Sequence, residues 1–448
     1  MTALDKTAGY EIATREMCAI AREIFQHALE ESSIERGFSR NLHYERGILQ
    51  IGDDLYDLGT FSRVFVISFG KAAHTSLEAL ITRLGGGTGA TGIVSAPTLP
   101  ASQFFGFRYF QGGHPMPNHE SMRAAESILR ALDSMNARSL VLYLISGGGS
   151  AIVEKPVNDQ ISFDDLVQTY RALVHSGAPI AQINAVRKHL SAVKGGRMAV
   201  AAAPAHQVSI LISDVPDNAT DSLASGPTMP DTTNCAQCYD IVRQYNLLPL
   251  FPKSVSRLFQ TRGLEETPKV GDSFFERARW WTVLSNVSAQ RAAVESAAIK
   301  GFAIQIDNTC DDWDYRKAAD YLLQRVRELR MGVSRVCLIS GGEVTVTVDR
   351  DPGAGGRNQQ FALYCAQQIQ GENISILSAG TDGIDGNSPA AGAVVDGTTI
   401  ARAIGKGLSA EAALASFDAY PFFEALGDTI VTGYTGTNVR DVRLLLAW

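Results

Sequence analysis

Five apolar segments of this 448-residue chain end in closely related chemistry. VFVIS runs into Phe69, Gly70 and Lys71, and LYLIS, closing on Ser146, into Gly147, Gly148, Gly149 and Ser150. ILIS leads to Asp214, VCLIS to Gly341, Gly342 and Glu343, and ISILS to Ala379, Gly380, Thr381 and Asp382. In open α/β sheets ligands bind outside the carboxyl ends of the strands, where the backbone can approach closely and helix N-termini point their N–H groups outward. Small, hydroxylated and acidic residues at five such ends point to one or more anion-handling sites.

The run Ser146 to Ser150 is the most phosphate-like of them, because three glycines expose backbone N–H groups and two hydroxyls flank them. Tight packing alone is the competing explanation. Lys71 follows a buried strand and opens a helix, a position that the helix dipole disfavours for a cation, so a ligand-directed ammonium is a reasonable expectation. Arg357, in GAGGRNQQ, joins a glycine-rich loop to a helix, and its planar fork suits a carboxylate or a phosphate. A solvated helix end explains it equally well on local grounds. Arg187, Lys188, Lys194 and Arg197 fall at helical spacing and read as a solvated face, except that Gly195 and Gly196 break the helix and could aim Lys194 at a ligand. Asp214 with Asp217, and Asp382 with Asp385, each follow a strand. They are candidates for a divalent metal or a substrate hydroxyl, as is Glu343, although a carboxylate in such a loop commonly closes its own Asx-turn. His114 and His119 in GGHPMPNHE carry no mechanism by themselves.

These residues need a frame to hold them. Short β-branched runs alternate with segments of helical period, the pattern of a parallel sheet covered by helices. The strands SRVFVIS, TGIVSA, FRYF, SLVLYLIS and VSILIS predict a doubly wound, Rossmann-like first domain over residues 1–250. A loop-rich stretch from Gly226 into GDS reads as a linker. A second α/β set over 251–435 begins at WWTVLSN and continues through FAIQIDN, SRVCLIS, EVTVTV, ISILSAG and GAVVDG. The terminal VRLLLAW, within 436–448, reads as a strand that could return to either domain.

Composition limits what the site can serve. A formal net charge of −7 argues against a nucleic-acid surface, and no apolar run approaches the ~20 residues that cross a bilayer. A polar N-terminus without an apolar h-region leads to the expectation of a cytoplasmic protein. Six cysteines form no framework; Cys235 and Cys238 make a C-x-x-C inside a helical pattern, and structural thiols are expected there rather than a redox pair or half of a zinc site. The oligomeric state is open.

Taken together, SFGKAA, GGHPMPN, LISGGGSAIVEKP, INAVRKHLSAVKGGR, LISDVPDNATDSLASGPTMPD, LISGGEVTVTV, GGRNQQFAL, SAGTDGIDGNSPAAGAVVDG and TGYTGTNVRDVRLLL resemble the class II, MOFRL-type glycerate kinases. The resemblance runs over about residues 60 to 448. It implies two α/β domains with the active site in the interdomain cleft, ATP and Mg²⁺ as cosubstrates, and phosphorylation of D-glycerate at its 2-hydroxyl. By motif match it assigns the family's cleft lysine to Lys71 and its cleft arginine to Arg357. Gln360 stands where the family usually has an acid, and Tyr434 where it usually has proline.

Two other activities fit the same outline less well. An NAD(P)H-dependent hydroxypyruvate reductase needs G-x-G-x-x-G directly after a strand, and the nearest match, Gly85, Gly87 and Ala90, precedes one instead. A non-catalytic sensor of a sugar acid or nucleotide would bind without turnover. There is no Walker A sequence, so an ordinary P-loop kinase is excluded.

Overall fold

The structure, a computed structural model, describes residues 3–85, 88–349 and 351–448, with the side chains of 3–9, 217 and 218 outside that description. Gly87 and the Asp217 carboxylate lie outside it. The chain forms two compact units: Gly37–Val283, and Met1–Arg36 together with Leu284–Trp448.

The first unit opens with an antiparallel meander of β1 (Leu42–Glu45), β2 (Ile48–Ile51) and β3 (Asp54–Asp57). Its main sheet contains β4 (Arg63–Phe69), β5 (Thr91–Ala96), β6 (Phe107–Gln111), β7 (Ser139–Ser146), β8 (His206–Ile212) and β9 (Ala278–Leu284), in the order β6-β5-β4-β7-β8-β9. The first five run parallel. Every residue of β7 is buried, as a strand covered on both faces requires. Val141, Tyr143 and Ile145 share a core with Ala124, Ile128 and Met198 of helices on one face. Leu140, Leu142 and Leu144 point the other way and are equally buried.

Strand order reverses between β4 and β7. The chain builds outward from β4 through β5 to β6, then returns to place β7 on the opposite side. The carboxyl ends of β4 and β7 therefore flank the topological switch point, the usual ligand crevice of such sheets.

Three expectations change here. WWTVLSN belongs to the first sheet as β9, because Trp280 packs against the first core and its indole N–H reaches the Thr228 carbonyl at 3.0 Å. The stretch after Gly226 is not a linker: its helices Cys235–Gln244 and Lys253–Gln260 bury Cys238, Ile241, Val255 and Phe259 in a second core of the same unit. The boundary consequently falls near residue 284 rather than 250.

The second unit carries β10 (Ala303–Ile306), β11 (Val336–Gly341), β12 (Ile374–Gly380), β13 (Gly392–Asp396), β14 (Thr429–Ile430) and β15 (Asp441–Ala447). Their order is β10-β11-β15-β12-β13-β14, with only β10 and β11 parallel. The terminal strand thus lies inside this sheet, hydrogen-bonded to β11 and β12. The helix Ala3–Glu31 packs on β12, β13 and β15, which assigns residues 1–36 to this unit although they open the chain. EVTVTV is extended but forms no strand; its alternation favours β backbone, yet only Thr345 finds a bridge partner, Asp314.

β15 supplies both flanking ladders, so removing residues 441–448 should unfold the second unit. Hydrogen exchange should then lose protection in β11 and β12 while β4 and β7 keep theirs. Native protection in β11 and β12 of the truncated chain would contradict this topology.

Candidate active site

At the switch point of the first unit, the ends of β4 and β7 are joined by backbone. The Lys71 N–H donates to the Gly147 carbonyl at 2.9 Å, and the Ala72 N–H to the Ser146 hydroxyl at 3.1 Å. Gly70 makes this approach possible. Its φ is +121°, and a Cβ there would overlap the Ser146 hydroxyl and carbonyl. Lys71 itself is exposed.

Each glycine of the following turn faces a different neighbour. A Cβ at Gly147 would overlap the Asp214 carboxylate, one at Gly148 would press on the His114 ring and the Lys71 stem, and one at Gly149 would meet Ala224 and Phe69. The turn therefore gathers Lys71, His114 and Asp214 around one stretch of backbone. Ser150 is tied at 3.0 Å to the Ser225 hydroxyl. Burial, and then the neighbouring Lys71 charge, hold the His114 imidazole below its ordinary value of 6.5. It is mostly neutral at pH 7.

Lys194 departs from its expected role. It is 1% exposed and its ammonium is bound to Glu154, itself fully buried. Glu154 also accepts from the Tyr170 hydroxyl at 2.7 Å and the Ser191 hydroxyl at 2.5 Å. Gly195 and Gly196 do break the helix, with φ of +55° and +82°, but they turn the lysine into the core. Lys188 is similarly enclosed, 3.0 Å from Asp231, and the Arg187 guanidinium stacks over the Tyr170 ring. The basic cluster is an internal network rather than a solvated face.

In the second unit the start of β15 lies between the carboxyl ends of β11 and β12, with Val442 opposite Gly341 and Asp441 opposite Gly380. Glu343, Asp382 and Asp441 are thereby brought to one sheet edge. Arg357 begins the helix Arg357–Gln368 at that edge. Its Nε and Nη2 donate to the two oxygens of Asp441 at 2.6 and 3.0 Å, and Nη2 lies 2.9 Å from Glu343. The fork expected to hold a substrate anion holds a buried aspartate. Asp382 accepts the Ile384 N–H at 3.2 Å, an Asx-turn, and lines a pocket of about 640 Å³ with Arg357, Gln360, Asp385, Val344 and Phe417.

Asp385 caps the same helix from a distant loop, accepting the N–H groups of Asn358 at 3.0 Å and Gln359 at 2.8 Å. Burial pushes its carboxyl up to about 7, against the pull of those N–H groups and of Arg357. Arg440 clamps Asp311 through two bonds of 2.7 Å, and Asp311 in turn accepts the Glu343 N–H. Within the VRDVR segment the sequence alone singles out no functional residue. The signal was there: charged residues entering a strand that is otherwise apolar require partners at the sheet edge.

A parallel sheet with a lysine and a glycine turn at its switch point, joined in one chain to a mixed sheet with an acidic edge, defines a two-unit α/β enzyme acting on small molecules. Residues 20–260 match a family described as a domain of unknown function (DUF4147), and residues 336–441 match the MOFRL family. The chain is 34% identical over 394 residues to D-glycerate 2-kinase of Thermotoga maritima, covering 85% of this chain and 89% of that one. It is 35% identical over 398 residues to a protein of Agrobacterium vitis provisionally named a hydroxypyruvate reductase, covering 86% and 87%. A solved glycerate kinase from Thermotoga maritima superposes with a TM-score of 0.84 at 30% identity, covering 97% of this chain and all of the other. The chain belongs to the MOFRL-type glycerate kinase family.

The two lysines should separate cleanly on mutation. Lys194→Met leaves Glu154 buried without its counter-charge and should cost about 3–5 kcal/mol, seen as a lower denaturation midpoint. Lys71→Met should leave that midpoint within about 0.5 kcal/mol of wild type. Equal stability losses would show that burial does not distinguish them.

Proposed function

We propose that this chain is a glycerate 2-kinase that transfers the terminal phosphoryl group of ATP to the 2-hydroxyl of D-glycerate. The hydroxyl oxygen forms the new bond to phosphorus, the bridging bond to ADP breaks, and the hydroxyl proton is released. The observation that carries this reading is the pairing of exposed Lys71 with the glycine turn at the switch point, in a chain whose relatives are named glycerate kinases.

Phosphoryl transfer passes through a loose transition state, so positioning and charge neutralisation supply most of the rate. Lys71 would neutralise charge on the transferring group. Backbone N–H groups of Gly147, Gly148 and Gly149, which carry no side chains, and that of Ser150 would cradle phosphate oxygens. His114, neutral at pH 7 and beside Lys71, is the group we assign to the hydroxyl proton. Asp214, against Gly147 in the first unit, offers hard oxygens of the kind Mg²⁺ takes one or two at a time, with water and phosphate completing its shell; Asp382 is a separate candidate within the second unit. When bound, the ion would supply positive charge beside the phosphates.

The reductase reading is disfavoured at the position where it would have to appear. The first turn of the parallel sheet reads Gly70-Lys71-Ala72-Ala73, with a lysine and an alanine where the dinucleotide fingerprint requires x and a second glycine. No helix of the described residues is long and apolar enough to cross a membrane.

Purified protein given Mg²⁺ and ATP should release ADP only when D-glycerate is added, and phosphorus NMR should identify 2-phosphoglycerate. NADH oxidation with hydroxypyruvate while ATP stays untouched would overturn the proposal. Lys71→Met should lower kcat by about a hundredfold. The pH profile gives an independent check, because a neutral His114 is required and its titration lies below 6.5. Activity should be retained above that range and fall as the pH drops through it, and His114→Gln should be slower with that acid limb abolished. An unchanged limb in His114→Gln would remove the histidine from proton transfer.

A further inference from the structure

A group of side chains away from the strand ends is arranged for another purpose. His189, near the end of the helix Ile180–Leu190, is 1% exposed. Its Nδ1 lies 2.9 Å from the Ala185 carbonyl. A carbonyl can only accept, so Nδ1 carries the proton and Nε2 of the neutral ring presents a lone pair. That Nε2 is buried and has no hydrogen-bond partner among the described residues. It lies 3.6 Å from Glu266 Oε2, and a ring nitrogen of His189, the Sγ of Cys235 at the start of the helix Cys235–Gln244 and a Glu266 oxygen lie within 4.8 Å of one another.

From this geometry we propose that His189 Nε2, Cys235 Sγ and a Glu266 oxygen form a zinc site with water as the fourth ligand, clasping the segment around Glu266 to the two helices. An imidazole, a thiolate and a carboxylate are the donor set of zinc, and a metal-bound histidine characteristically donates its other N–H to a carbonyl, as His189 does to Ala185. Bonds of about 2.0–2.3 Å place tetrahedral ligands about 3.6 Å apart. Glu266 is the exposed member that must close the remaining gap, while its Oε1 accepts the Cys235 N–H at 3.0 Å. Its Oε2 already lies 3.6 Å from His189 Nε2, beyond hydrogen-bond reach, and 3.3 Å from Lys269. Lys269 also bonds the Thr233 carbonyl and the Thr267 hydroxyl, so it retains partners when Glu266 turns to the metal. On binding, the Cys235 S–H bond breaks, a Zn–S bond forms and the proton passes to solvent.

The site does not use the C-x-x-C as a pair. Cys238 lies on the opposite side of the imidazole, 3.2 Å from Nδ1 and 3.4 Å from the Ala185 carbonyl. This makes the ligand set testable on the full chain without reference to catalysis. Zinc-loaded protein dialysed against metal-free buffer should retain about one zinc per chain, and cobalt in its place should give a thiolate charge-transfer band in the near ultraviolet. Cys235→Ala should abolish the band and weaken zinc binding by more than about a hundredfold, while Glu266→Gln weakens it by about tenfold or more. Cys238→Ala should keep both the band and the zinc. The proposal is overturned if wild type gives no cobalt band and holds no more zinc than Cys235→Ala. It is overturned equally if Cys238→Ala loses the band as completely as Cys235→Ala.

Discussion

The first unit depends on one close approach of backbone: the Lys71 N–H on the Gly147 carbonyl, allowed by Gly70. Parallel strands fix the spacing and direction of their carboxyl ends, but not which chemistry those ends share. Here the bond ties a lysine to a glycine turn across the line where strand order reverses. Three successive glycines are then required by three different neighbours, Asp214, His114 with Lys71, and Ala224 with Phe69. The packing explanation for SGGGS and the ligand explanation are therefore not alternatives. The same absence of side chains that lets those groups approach is what a phosphate-binding turn requires.

In the second unit the corresponding constraint is the position of β15. A strand that enters from the far end of the sequence and runs antiparallel to both neighbours brings its first residue, Asp441, to the carboxyl ends of β11 and β12. Arg443, two residues on, is fully buried and donates to the Gly341 carbonyl at 2.6 Å, while its guanidinium lies over the Phe361 ring. Arg440, Asp441 and Arg443 thus hold the loop after β11, the Arg357 helix and the strand together through charge-assisted bonds. The sheet edge and its acidic groups share one scaffold.

Local pattern made the strands and their ends legible because burial on both faces leaves a continuous apolar run, and the switch from apolar to glycine or acid marks the exit. It failed where contact order is high. Nothing in residues 1–36 announces that their helix packs on strands some 350 residues later, and the Trp280 indole on Thr228 explains why WWTVLSN joins the earlier sheet. Charged side chains failed for a related reason. Lys71 and Lys194 each adjoin glycine and each suggested a ligand, but whether a lysine faces solvent or a buried glutamate depends on tertiary packing that spacing does not encode. The cysteine pair shows the same limit: the Cys238 thiol lies against His189 Nδ1 while Cys235 sits beside Glu266, though local sequence treats them alike.

The fate of Arg357 bears on how the second unit can meet a substrate. A guanidinium bonded through two nitrogens to buried Asp441, and touching Glu343 as well, has its charge more than balanced. Asp382 adds a further carboxylate to the same pocket, and the Arg440–Asp311 pair adds no net charge. A phosphate or carboxylate approaching this edge would compete with Asp441 and Glu343 for the Arg357 guanidinium. Arg357 thus links the loop after β11 to the start of β15.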